Sequence, residues 1–152
     1  MRSRLVAARV RLEKLPLASR LDTGPTDPAT GESWHRGNVL GHMNEMIDYW
    51  IVQLRHAAAG SKEVGRDEQG YDSRRHGIDR GNATTEAELK IAVDGGIGRV
   101  IDLLDSFSPA DLHREVVYHA RAGDRDARVG ELFESLLVEH VEEHVSQLAG
   151  LG

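Results

Sequence analysis

Apolar residues recur along most of this chain at the period of an α-helix. Leu5, Val6, Val10, Leu12 and Leu15 open the pattern and predict a packing helix from about Ser3 to Arg20, kinked or divided at Pro16. The stretch from Asp22 to Ser33 holds Gly24, Pro25, Pro28 and Gly31 and reads as a loop. Val39, Met43, Met46, Ile47, Trp50 and Leu54 then mark a second helix from about Trp34 to Ala59. Residues 60–83 contain almost no apolar side chains and read as a long loop, the kind that forms lids or binding segments. A third helix is predicted from Thr84 or Thr85 to about Asp105, with Thr85 and Glu88 spaced as a capping box. Gly95, Gly96 and Gly98 inside it each cost about 1 kcal/mol relative to Ala, and imply either close helix contact or a break. Ser108 and Pro109 have the form of a helix cap and first turn, Val116 to His119 is a candidate extended segment, and Gly123 to Arg128 reads as a charged turn. The last helix is predicted from about Val129 to Leu148. Four long helices and little strand imply an all-α four-helix bundle, one domain over residues 1–152, with a long loop between helices two and three.

Composition narrows the chemistry. With 152 residues the chain is long enough to bury a substantial core as one domain. It contains no Cys, which excludes disulfides, thiolate metal ligands and a cysteine nucleophile. No apolar run approaches the ~20 residues of a membrane-spanning helix, and no secretory leader is evident, so a soluble cytoplasmic protein is expected. The net charge of −6 argues against nucleic acid as a partner. That charge is uneven. Residues 1–20 carry Arg2, Arg4, Arg9, Arg11, Lys14 and Arg20 against Glu13 alone. An Arg-rich, acid-poor start also fits a transit peptide, but its apolar spacing reads as well as a packing helix, and the preference for Arg over Lys suggests a bacterial genome.

The last helix carries the strongest chemical signal. On a helical wheel, Val129, Leu132, Phe133, Leu136, Leu137 and Leu148 fall on one face with His140 and His144, which embeds the two imidazoles in the apolar stripe one turn apart. Two His at i and i+4 can ligate one metal ion from one helix. The competing reading is a pair of core histidines bonded to the backbone or to carboxylates. On helix two, His42 lies at the edge of the apolar stripe and is the candidate third ligand; three neutral imidazoles leave a fourth position open for water, a thiolate or substrate. The string from His140 to His144 matches the H-x-x-E-H of inverted zinc proteases, but those need a further carboxylate well downstream. A di-iron site needs inward carboxylates from the third helix, which offers Glu86 and Glu88 only in its first turn.

The segment from Trp34 to Ile47, with its Trp and V-L-x-H pattern, and the segment from Val138 to Leu148, with its His-x3-His followed by x-x-Gln-Leu, together resemble the DinB-like superfamily. That group includes the N-terminal domain of the mycothiol-dependent maleylpyruvate isomerases. The resemblance implies a four-helix bundle in which His42, His140 and His144 hold a divalent ion such as zinc or nickel. It further implies a transferase or isomerase that uses a low-molecular-weight, mycothiol-type thiol on an electrophilic small molecule. Under that reading Arg66, Arg74 and Arg75 in the long segment, with Arg80, are candidates for binding an acidic cosubstrate or substrate. Glu143, beside His140 on the wheel, and Glu45 on helix two are the candidate bases; a metal-dependent hydrolase using either is the first alternative, and a non-enzymatic metal- or partner-binding bundle the second. Gln147 is expected as a hydrogen-bond partner on the inner face. Val138, Val141 and Val145 form a second apolar strip, read either as a homodimer contact or as an extension of the core.

Overall fold

The computed structural model describes residues 1–17, 23–26, 28 and 31–151. Its elements run α1 (Arg2–Lys14), α2 (Arg36–Ala58), β1 (Glu63–Gly65), α3 (Glu68–Arg80), α4 (Glu86–Ser106), α5 (Pro109–His113), β2 (Glu115–Ala120) and β3 (Gly123–Arg128). The chain ends in α6 (Val129–Phe133), a π-helical segment (Glu134–Glu139) and α7 (His140–Gly150), which together make one continuous last helix. No helix among the described residues is long and apolar enough to cross a membrane.

The mostly helical expectation holds, but helices alone do not describe the fold. α2 is its centre, with α3, α4 and the last helix packed around it, and α1 lying on α4 and α7. A small sheet in the order β1-β2-β3 lies beside α2, with β1 parallel to β2 and β2 antiparallel to β3. α1 stops at Lys14 rather than continuing to Arg20, because the residue before Pro16 is driven into the extended conformation that Leu15 shows. Residues 18–22 lie outside the described residues. Of its apolar positions Leu5 and Leu12 are buried, whereas Val6 and Val10 face outward.

The expected long loop at 60–83 is replaced by β1 and α3. α3 escaped the hydrophobic pattern because it packs by backbone. Gly37 and Gly41 of α2 face Gly81 and Gly77, so closely that a Cβ on any of the four would collide with the opposing helix or its side chains. Asn38 reinforces this seam by donating from Nδ2 to the Ile78 carbonyl at 3.0 Å. The expected charged turn at 123–128 is likewise a strand, paired along its whole length with β2 from Gly123 opposite Ala120 to Arg128 opposite Glu115. The Thr85/Glu88 and Ser108 caps form as read, and Gly96 brings α4 against Ile47.

Arg36, 2 % exposed, ties the ends of three segments together. It pairs with Glu86 at 2.7 Å and donates to the carbonyls of Leu148 and Pro16. The π-helical turn determines how the last helix meets the core. It inserts an extra residue just ahead of His140. The buried face therefore runs through Val129, Leu132 and Phe133 and then shifts onto Leu137, Val138, Val141, Val145 and Leu148. The valine strip is thus the protein's own core, with α1 packed against α7, and that face has no surface left for a second copy.

Candidate metal centre

The same shift turns His140 and His144 out of the apolar stripe and toward a cavity of about 390 Å³, where His42 meets them from α2. One nitrogen from each of His42, His140 and His144 lies within 4.8 Å of the others. The rings of His140 and His144 stack at 4.8 Å, and His42 stands 5.0 Å from His144 and 5.5 Å from His140. Trp34 closes one side, its ring 5.1 Å from that of His42.

Two ring nitrogens of this cluster lack a hydrogen-bond partner among the described residues. Nδ1 of His42 and Nε2 of His144 are buried without a hydrogen-bond partner. Leaving such atoms bare costs roughly 1–3 kcal/mol each, so their convergence asks for a ligand. His144 is oriented from behind: its Nδ1–H donates to Oε1 of Gln147 at 2.8 Å, which assigns the lone pair to Nε2. Burial holds all three rings neutral, with the neighbouring imidazoles adding to the effect on His42 and His140. His42 and His144 lie below the usual histidine range, and His140 is pushed down to about 3. Arg66 and Arg74 contribute smaller repulsions to His42 and His140. Three converging, neutral, lone-pair-bearing imidazoles are the donor set a borderline divalent ion takes, so the residues fit such an ion.

The candidate carboxylate bases do not join this cluster. Glu143 is exposed and lines a separate outer groove with Arg4, Glu139, Glu142 and Ser146, and it is not among the residues that line the cavity. Glu45 is nearly buried, and both its oxygens accept from Arg66, each at 2.8 Å, so it serves as a counter-ion. The arginines separate as well. Arg66 and Arg74 line the cavity; Arg66 lies 4.1 Å over the Tyr49 ring, and Arg74 pairs with Glu32 at 2.9 Å and faces the Trp34 ring. Arg75 is exposed, pairs with Asp72 one turn away, and lines only an adjoining hollow. Arg80 is exposed at the end of α3.

Several lining residues carried no signal in the sequence. Trp50, Tyr71, Tyr118, His119 and Arg121 reach the cavity from α2, α3 and the β2–β3 hairpin. Only their tertiary placement brings them there; Trp50 read in the sequence only as an apolar position of the second helix.

A mostly helical fold thus gathers three histidines from two helices into a set that could hold a metal ion. The family model of the DinB superfamily matches residues 4–148, and the chain belongs to that superfamily. Among solved structures it is similar to the crystal structure of the mycothiol-dependent maleylpyruvate isomerase, with a TM-score of 0.67 and 18 % identity. The match covers 96 % of this chain and 59 % of that one, so this chain spans little more than half of that protein's length, and the likeness is one of fold. No curated protein matches the sequence.

Proposed function

We propose that this protein is a metal-dependent transferase or isomerase that brings a low-molecular-weight thiol to an electrophilic small molecule in the cavity above His42, His140 and His144. The observation that carries the reading is the convergence of three imidazoles, one nitrogen of each within 4.8 Å of the others, in a cluster where His42 and His144 each carry a buried ring nitrogen without a partner. A divalent ion held by His42, His140 and His144, zinc or nickel by the donor set, would supply Lewis acidity and would lower the pKa of a bound thiol. The chain's own residues supply the rest. Gln147 holds the His144 ring in one tautomer. Trp34 and Trp50 wall the cavity. Arg66 and Arg74, each paired with a carboxylate, form part of the polar wall of the cavity. A thiol cosubstrate also suits a chain with no Cys of its own. The similarity to a mycothiol-dependent isomerase supports the same direction. Metal-activated hydrolysis is disfavoured by the positions of Glu45 and Glu143.

The test is metal content of untagged protein purified without chelator, beside His140→Ala/His144→Ala. About one equivalent in the wild type and none in the variant is expected. Zinc-loaded protein is then expected to transfer a supplied thiol to 1-chloro-2,4-dinitrobenzene. Absence of metal after loading overturns the reading, and turnover of esters without thiol replaces it with the hydrolytic one.

A further inference from the structure

The arginines of the cavity differ in how they are balanced. Arg66 is neutralised by Glu45, Arg74 by Glu32 and Arg75 by Asp72. Arg121 has no carboxylate partner among the described residues; its guanidinium stands 6.0 Å from the Tyr71 ring centroid. It occupies the two-residue turn of the β2–β3 hairpin, between the paired Ala120 and Gly123. Gly123 takes φ +122°, a conformation that L side chains rarely adopt, and so makes the tight turn possible. The turn is braced. β1 pairs with β2, Tyr49 donates to the Gly65 carbonyl at 2.7 Å, and Asp124 accepts from His119 at 2.9 Å.

Arg121 also marks a junction. The main cavity opens into an adjoining hollow of about 480 Å³, and Arg66, Tyr71, Arg74, His119 and Arg121 border both. Glu32 is the carboxylate on this shared rim, and it is engaged by Arg74. With Arg66, Arg74 and Arg75 balanced by carboxylates, Arg121 is the unbalanced positive charge that the ion pairs of this rim leave among the described residues.

We infer that Arg121 is the anion-reading residue of this pocket, binding a carboxylate on the ligand whose other end reaches the three histidines. This rests on the proposal that the cavity is the ligand site, and it assigns the substrate class as carboxylated. A guanidinium already paired has its charge balanced and part of its donor edge occupied, whereas Arg121 keeps both its charge and its fork uncommitted among the described residues. Its planar fork matches a carboxylate in two hydrogen bonds. The carboxylate belongs to the thiol or to the electrophile, and the two sources are separable.

The experiment follows binding by NMR titration at constant ionic strength, with glutarate as the probe and glutaramide as its neutral counterpart. Wild type is expected to bind glutarate and not glutaramide. Arg121→Gln is expected to weaken glutarate at least five-fold. Arg99→Gln removes the same charge from an outer pair with Asp48 and is expected to leave binding unchanged. Unfolding midpoints confirm that both variants fold. Zinc-loaded protein is then titrated with 3-mercaptopropionate and 2-mercaptoethanol. Loss of the acid's advantage in Arg121→Gln assigns the carboxylate to the thiol; an effect on glutarate alone assigns it to the electrophile. No glutarate binding, or equal loss in the Arg121 and Arg99 variants, overturns the inference. Metal content is read separately, so failure here is distinct from failure of the metal centre.

Discussion

Gln147 holds His144 from one turn away on α7: the amide oxygen takes the Nδ1 proton at 2.8 Å and leaves Nε2 bare and buried. Gln147 itself is exposed and lines the cavity.

Replacing Gln147 with Leu frees the His144 ring to rotate and to change tautomer. Zinc affinity is expected to fall 10–100-fold in a chelator competition titration, with the unfolding midpoint of the metal-free protein nearly unchanged. Gln147→Glu, which keeps an acceptor, is expected to retain affinity. Equal affinity in the Leu variant would remove the amide from the site.

The three imidazoles make the metal-free fold sensitive to acid. Each folded-state pKa lies below the value in the unfolded chain, near 6.5, so the unfolded chain takes up protons first as pH falls. Stability is therefore unaffected above about 6.5 and declines below it, for His140 down to about 3. Each ring contributes a slope of roughly 1.4 kcal/mol per pH unit within its window. Urea unfolding of metal-stripped protein at pH 7.5, 6 and 5 is expected to show this decline, and His140→Ala/His144→Ala to show a shallower one. A slope identical in the two proteins would place the acid sensitivity elsewhere.

Gly41 and Gly95 are both glycines in helices but meet opposite surroundings. A Cβ on Gly41 would strike the Gly77 backbone on α3, while one on Gly95 meets only the end of the Arg99 side chain. Gly41→Ala is expected to destabilise by about 1–3 kcal/mol through overpacking and to displace α3, and with it Arg74. Gly95→Ala is expected to stabilise by up to about 1 kcal/mol through helix propensity. Urea midpoints compare the two directly, and stabilisation by both would mean that α2 and α3 do not meet through these glycines.

Much of the helical framework was legible because burial writes a period into the sequence. The stripe from Val39 to Leu54 announced α2, and the Thr85 box and the residues from Leu89 to Leu104 announced α4. The approach of His42 to His140 and His144 was anticipated from i, i+4 spacing and an edge position on α2. What left no periodic trace was built by other means. α3 is held by glycine backbone contacts, and β3, all but Ala127 exposed, by its ladder to β2. Neither requires an apolar stripe, so both read as loop.

The last helix divides the two kinds of information most clearly. Residue type and spacing alone determined that 129–148 would be helical, that two histidines would lie one turn apart on it, and that Gln147 would stand within reach. Which face became core was decided in three dimensions. The π-helical turn at 134–139 rotates the downstream residues, sending Val141 and Val145 inward and His140 and His144 to the cavity. A wheel drawn at a constant 100° per residue cannot contain that step, because the wider turn depends on how the helix packs against α1 and α2. The assembly of Trp50, Tyr71 and Arg121 around the histidines is tertiary for the same reason: a cavity wall drawn from α2, α3 and a hairpin turn has no spacing in sequence to read.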